Sequence, residues 1–314
     1  VWVRPDGLTL LGPVLMTIFF MEGDMRSRFM SVVRYVIGFG SLFGLYLLFN
    51  LAIGGTPMPN TFYAKQAEYA SWQLLPITER LGQMSLQLLV GPSLVLIPGM
   101  IGWVLKSVKD RRWGSLSAIV WCAGYLGLYI SRLPVYQHGR YIMPAMPIFF
   151  LFGLLAFAEF DKNKTFARYH WIAQTLWQSS IVMLVLSFIV LGARSYAQDV
   201  AFIESEMIVT AKWISQNAPP EAVIAAHDIG ALGYFDDHKL IDLAGLISPE
   251  VIPFIRKEPE IATFLSERGT DYLIIFPDFY PTLSLGLTEI FSTNSPITRS
   301  LGQPNMVVYL WKRP

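Results

Sequence analysis

Five apolar runs decide what this chain can fold into. Val32–Ile53, Met84–Lys106, Leu116–Leu133, Tyr141–Phe160 and Trp171–Ala193 each have about the length a helix needs to cross roughly 30 Å of hydrocarbon. In lipid every backbone N–H and C=O must be satisfied within the segment, so such runs are helices. A sixth run, Leu8–Met21, is short and carries Pro13; it reads as a span beginning nearer Trp2. A hydrophobic content of 53 %, with 15 % charged residues and a mean hydropathy of +0.44, departs from soluble domains in the same direction. From Ser195 onward charges, Pro and Asp return. The expected fold is a polytopic α-helical membrane bundle of about six spans over residues 1–194, followed by a small soluble α/β domain over 195–314.

Charge placement orients the bundle. Arg26, Arg28 and Arg34, then Lys106, Lys109, Arg111 and Arg112, then Lys162, Lys164 and Arg168 lie in connections separated by pairs of spans, hence on one face. The intervening connections hold only Lys65, Arg80, Arg132 and Arg140. The positive-inside rule puts the three rich connections in the cytoplasm, leaving Gly54–Gly82, Pro134–Arg140 and the C-terminal domain outside. The one cysteine, Cys122, falls within a span, so no internal disulfide framework exists. The chain opens at Val1 and runs almost at once into an apolar segment, the expectation for a fragment whose N-terminal spans are missing.

Ionisable groups beside hydrocarbon are costly and mark candidate sites. Arg132-Leu-Pro-Val-Tyr-Gln-His-Gly-Arg-Tyr141 sets two arginines and His138 in a loop too short to leave the membrane surface. A guanidinium grips a pair of phosphate oxygens, an imidazole adds a donor, and Gly139 lets backbone approach an anion. Headgroup snorkelling is the plainer reading of the same cations. In Pro57-Met-Pro-Asn-Thr-Phe-Tyr-Ala-Lys65, Asn60, Tyr63 and Lys65 open an outer amphipathic segment over Thr61–Leu75 and suit a lipid-linked phosphate or a sugar, or an ordinary interfacial anchor. Arg4-Pro-Asp-Gly7 offers an Arg–Asp pair that orients an anion or, more simply, caps the next helix. Gly40 and Gly44 have the spacing that lets a neighbouring helix approach, or are glycines tolerated in a membrane helix.

The C-terminal region reads as helix over Asp199–Asn217, strands at Ala222–Ala226 and Lys239–Leu243, helix over Pro259–Arg268, and strands at Tyr272–Phe276 and Met306–Trp311. Strands alternating with helices imply an at least partly parallel sheet. His227-Asp-Ile-Gly-Ala-Leu-Gly-Tyr-Phe-Asp-Asp237, with Asp242 beyond it, matches neither metal-ligand nor phosphate-loop spacing, and glycines at turns explain most of it. No cofactor, metal site or nucleic-acid partner is read from the chain.

Arg4-Pro-Asp-Gly7, Gly55-Thr-Pro-Met-Pro-Asn-Thr-Phe-Tyr-Ala-Lys65, Gly139-Arg-Tyr-Ile-Met-Pro-Ala-Met-Pro147 and Asp228-Ile-Gly-Ala-Leu-Gly-Tyr234, continuing to Ile241-Asp-Leu-Ala-Gly-Leu246, together resemble the C-terminal part of polytopic glycosyltransferases of the GT-C superfamily. The resemblance is to bacterial members that move mannosyl or arabinosyl groups from polyprenyl-phosphate carriers. It implies an integral protein of the bacterial plasma membrane with an extracytoplasmic C-terminal domain. The donor would be a polyprenyl-phosphate sugar and the acceptor a glycan, lipid or protein. Arg140, with His138 and Arg132, would bind the donor phosphate. Lys65, Tyr63 and Asn60 would line the cleft, with Arg4 and Asp6 in support. The catalytic carboxylate would lie in a first outer loop, upstream of Val1, so this piece is expected to be inactive alone. A lipid or solute transporter and a non-catalytic anchor presenting the C-terminal domain are the competing readings.

Overall fold

The computed structural model describes residues 2, 5–20, 23–88, 91–132, 139–160 and 170–311. The chain forms two compact units: Val1–Met58 with Tyr69–Val190, and Pro59–Glu68 with Leu191–Pro314.

In the first unit a 3-10 turn, Pro5–Leu10, leads into helix α1, Leu11–Phe20. Helix α2, Met25–Gly54, starts seven residues before the apolar run because Asp24 caps it, accepting from the Ser27 N–H at 3.3 Å. It stops at Gly55, whose φ of +69° sends its N–H back to the Leu51 carbonyl. Helix α4, Ile77–Leu88, and helix α5, Ile97–Lys109, share the run read as one span. Between them Gly91–Leu96 is a 3-10 turn, with Pro92 at its start and Pro98 just past its end, where missing N–H groups break an α-helical ladder. Helices α6, Trp113–Arg132, and α7, Met146–Phe160, follow the sequence runs, α7 starting late because a turn containing Pro144 precedes it.

Close packing ties these helices in pairs. Thr17 of α1 donates to Ser117 of α6 at 2.7 Å, and Phe20 stacks on Trp113 at 3.9 Å. Trp103 of α5 stacks on Phe152 of α7, and a Cβ at Gly153 would stand 2.9 Å from the Leu96 Cβ. Nothing lies within 4 Å of a Cβ built at Gly40 or Gly44, so among the described residues no helix uses that small-residue spacing. Among the described residues three helical stretches are long and apolar enough to cross a membrane: Met25–Gly54, Trp113–Arg132 and Trp177–Asn217. Pro5–Phe20 and Met146–Ala156 are shorter apolar helices.

The second unit has a five-stranded sheet of order β2-β1-β3-β5-β4, with β1 Val223–Ala226, β2 Lys239–Asp242, β3 Tyr272–Ile275, β4 Thr288–Ser292 and β5 Val307–Leu310. β1 pairs parallel with β2 and β3; β5 is antiparallel to β3 and β4. Side chains alternate across the sheet and both faces are covered, which is why its strands read as short unbroken apolar runs. Ile224, Ala226, Ile274 and Val308 face the helical side of Ala211 and Ile214, whereas Ala225, Leu273, Ile275 and Val307 face Ile261 and Leu265. The former pair belongs to helix α9, Val209–Asn217, and the latter to helix α10, Glu258–Glu267.

Helix α8, His170–Phe202, enters this unit through a π-helical segment, Ile203–Ile208, and continues as α9. The wide turn delivers Glu206, wholly buried, to a nest of donors: Asn305 Nδ2 at 2.8 Å, the Met306 N–H at 2.6 Å, and the hydroxyls of Thr293 and Thr298. Helix α3, Asn60–Glu68, also belongs to this unit, although it is drawn from the connection after α2. Its Ala64, 1 % exposed, packs against Val251 and Ile255, and Glu68 forms an ion pair with Arg256. Of the amphipathic segment read over Thr61–Leu75, the part up to Glu68 is therefore a structural part of the C-terminal domain, and the part from Tyr69 belongs to the first unit.

Candidate functional site

The residues picked from sequence divide between the units. Asp6, Arg132 and Arg140 lie in the first; Asn60, Tyr63 and Lys65 lie on α3 in the second. Arg4 and His138 fall outside the described residues.

In the first unit the polar groups converge through α6. Trp121, Tyr125 and Tyr129 recur at four-residue spacing, so they stack along one face of the helix with centroids 5.3 and 4.8 Å apart. Each needs a partner for its polar tip once the ring is buried. The indole N–H of Trp121 donates to Thr9 Oγ1 at 2.9 Å. Both tyrosine hydroxyls donate to one oxygen of Asp6, Tyr125 at 3.2 Å and Tyr129 at 3.1 Å. Hydrogen bonds to a carboxylate contribute about 1.5–3 kcal/mol each, so this pair fixes the start of the chain against α6. Asp6 thus reaches across to another helix, beyond the capping role its position suggests.

Tyr129 also carries the Arg140 turn. Tyr141, buried, stacks on Tyr129 at 5.3 Å. Gly139 has φ +73°, a left-handed geometry that a side chain would strain, and its carbonyl accepts from the Ile142 N–H. The result leaves Arg140 exposed beside an anchored aromatic, with Ile142 and Ala145 fully buried behind it. Arg132 is exposed in the last turn of α6. Arg80, one of the cations in the connections expected outside, serves the fold instead. Its guanidinium donates to the carbonyls of Ile130 and Ser131, closing the C-terminal end of α6. Trp72 adds an indole N–H to the Ile130 carbonyl.

Beside this polar cluster runs an apolar cavity of about 340 Å³ between α1 and α6, walled by Leu10, Pro13, Val14, Ile18 and Trp121, with Ile148 of α7. Thr17 and Ser117, its two hydroxyl-bearing wall residues, hydrogen-bond each other. Trp121 belongs to both features, walling the cavity and stacking on Tyr125. Tyr125 and Tyr129 are functional candidates that the sequence alone does not single out. Their four-residue spacing in an apolar helix is the available signal, because two buried hydroxyls on one face require an acceptor. Among the described residues no group of three or more His, Cys, Asp or Glu side chains is placed to hold a metal ion.

A family model described as a domain of unknown function (DUF8728) matches residues 194–309, so the C-terminal domain is similar to that family. No curated protein and no solved structure matches the chain.

Proposed function

We propose that this chain belongs to a membrane glycosyltransferase that moves a sugar from a polyprenyl-phosphate carrier to an acceptor at the outer face of the bacterial plasma membrane. The observation that carries this reading is the junction of an apolar cavity with a polar cluster. An isoprenoid chain needs an apolar wall, and the space between α1 and α6 offers one. Its phosphate needs cations, and Arg140 stands exposed on the turn anchored to Tyr129. Asp6, held by Tyr125 and Tyr129, adds a carboxylate to the aromatic row whose Tyr129 stacks on Tyr141 beside Arg140. As the glycosidic bond breaks, charge grows on the leaving phosphate, and a fixed guanidinium stabilises that state more than the ground state.

The parity of the spans, though not the side, gains support from α3. The connection after α2 and the chain after α8 build one unit, as expected if both leave the bilayer on one face. That agrees with a six-span arrangement in which α4 and α5 together make one broken crossing. The broken crossing is also the one feature favouring transport, since transporters place their sites at discontinuous helices.

The test is transfer of a radiolabelled sugar from a polyprenyl-phosphate donor by membranes containing the protein. Arg140→Ala is expected to lower transfer at least tenfold at unchanged protein level, with partial recovery in Arg140→Lys. That factor corresponds to about 1.4 kcal/mol of transition-state stabilisation. Normal transfer by Arg140→Ala overturns the site assignment. Donor-independent solute uptake into proteoliposomes would favour transport.

A further inference from the structure

The second unit has a cluster of its own at the carboxyl end of its sheet. The chain leaves β1 to build β2 on one side, and β3 lies on the other, both parallel to β1. Such a reversal opens a crevice beyond the strand ends, the usual binding place in open α/β sheets. His227 and Asp228 directly follow β1, Asp242 ends β2, and Phe276–Tyr280 directly follow β3.

Two of the acidic groups there are already committed. Asp242 is fully buried and accepts from the N–H groups of Ala244, Leu246 and Ile247, holding its loop in shape. Glu68, arriving on α3, is taken by Arg256. Arg256 itself sits at φ +68°, and its guanidinium also donates to the Phe279 carbonyl and lies 5.9 Å from the Tyr280 ring.

Other groups are left for a ligand. Among the described residues none donates a hydrogen bond to the half-buried Asp228 carboxylate. His227 Nδ1 shares a hydrogen bond of 2.7 Å with Tyr280 Oη, which fixes the ring and leaves Nε2 facing away from that bond. Burial, then the charge of Glu68, pushes the Tyr280 phenol up, so it keeps its proton. Burial also pushes the Asp228 carboxyl up; His227 opposes this, and Asp242 and Glu68 reinforce it. Phe279 is 45 % exposed and sits edge-on to the His227 ring at 6.1 Å.

This set of groups selects a ligand class. Carboxylates outnumber the single guanidinium, which disfavours anions. A carboxylate and an imidazole nitrogen beside an exposed aromatic ring instead suit vicinal hydroxyls over an apolar face. We propose that the crevice beyond β1 and β3 is a sugar-binding site for a neutral glycan, with Asp228 and His227 Nε2 bonding its hydroxyls and Phe279 covering one face of a pyranose or furanose ring. The ligand's role as acceptor rests on the transferase reading; its binding does not.

The experiment uses the whole protein, purified in detergent and fluorescently labelled, on an array of neutral hexose and pentose oligosaccharides, followed by titration of the best ligand. The expected result is retention of neutral glycans, weakened about tenfold or more by Asp228→Asn, as loss of a charge-assisted hydrogen bond predicts. Phe279→Ala is expected to weaken binding similarly. Glu289→Gln, on the exposed face of β4 at the far edge of the sheet, should bind as the parent does. Native thermal midpoints for each variant separate loss of binding from loss of fold. The proposal is overturned if the parent binds no neutral glycan better than Asp228→Asn does, if both variants at the crevice bind normally, or if only anionic glycans are retained. No lipid donor is present, so failure here and failure of Arg140→Ala to affect transfer are scored independently.

Discussion

Replacing Glu206 by Gln probes a wholly buried carboxylate that is heavily loaded with hydrogen bonds. Its carboxylate takes four donors: Thr298 Oγ1 and Asn305 Nδ2 on Oε1, and Thr293 Oγ1 and the Met306 N–H on Oε2. Glutamine keeps one oxygen, and the main-chain N–H of Met306, which cannot turn away, will claim it together with Thr293. The new amide then faces Thr298 and Asn305. The threonine hydroxyl can rotate to accept. Asn305 can do so only by flipping, which gives up the bond from Arg299 Nε to Asn305 Oδ1 at 3.3 Å. One buried donor therefore goes unpaired, at about 1–3 kcal/mol, and the two retained bonds lose charge assistance, together about 1 kcal/mol. The sum, about 2–4 kcal/mol, is roughly a 30- to 700-fold increase in local opening. Amide hydrogen exchange followed by mass spectrometry on peptides covering Met306–Leu310 reads that opening directly. Asn305→Asp in the Glu206→Gln background restores a donor–acceptor match with the positions exchanged, and should recover at least half the loss. Exchange within about threefold of the parent, or a double variant no better than the single one, would refute the reasoning.

Two further outcomes test other parts of the structure. His238 places Nδ1 2.6 Å from Asp236 Oδ1 and Nε2 2.8 Å from the Pro219 carbonyl, so both nitrogens face acceptors and the imidazolium satisfies both. Burial alone would push its pKa down, but Asp236 and the Pro219 carbonyl outweigh it, and the balance lies above the ordinary 6.5. The contribution to stability is therefore complete below pH 6.5 and lost as pH rises through the raised folded value; hydrogen exchange in the sheet should accelerate over that window, and His238→Gln should remove the dependence. Gly153→Ala drives a Cβ against the Leu96 Cβ and carbonyl, 2.9 and 3.2 Å away, and should cost about 1–3 kcal/mol. Gly40→Ala meets open space and should be neutral or stabilising by up to about 1 kcal/mol; equal thermal midpoints in detergent for the two variants would contradict the α5–α7 packing described above.

What the sequence disclosed follows from which interactions are local. β1, β2, β3 and β5 are short apolar runs between turn residues, and each is legible within a residue of its end. β4 is not: Thr288–Ser292 is an edge strand exposed along most of its length, so it carries little of the burial signal that marks a strand. The break between α4 and α5 is written in Gly91, Pro92 and Pro98, but hydropathy averaged over the run conceals it. Arg140, Arg132 and Asp6 are legible as charges in apolar surroundings, whereas the acceptor that Asp6 provides for Tyr125 and Tyr129 is a contact across 119 and 123 residues. No local pattern states such a pairing.

The membership of α3 in the C-terminal domain has a consequence for biosynthesis. Glu68 and Arg256 are 188 residues apart. At about 5–20 residues per second, helix α3 waits on the order of 10–40 s for the partner that completes it. Throughout that interval Ala64 and its neighbours stand uncovered, and every later span must be inserted before the domain can close around them. The domain thus closes by capturing a segment made 188 residues before its partner, and a ribosome that stops short of Arg256 leaves a loop that has already been delivered but has nothing to hold it.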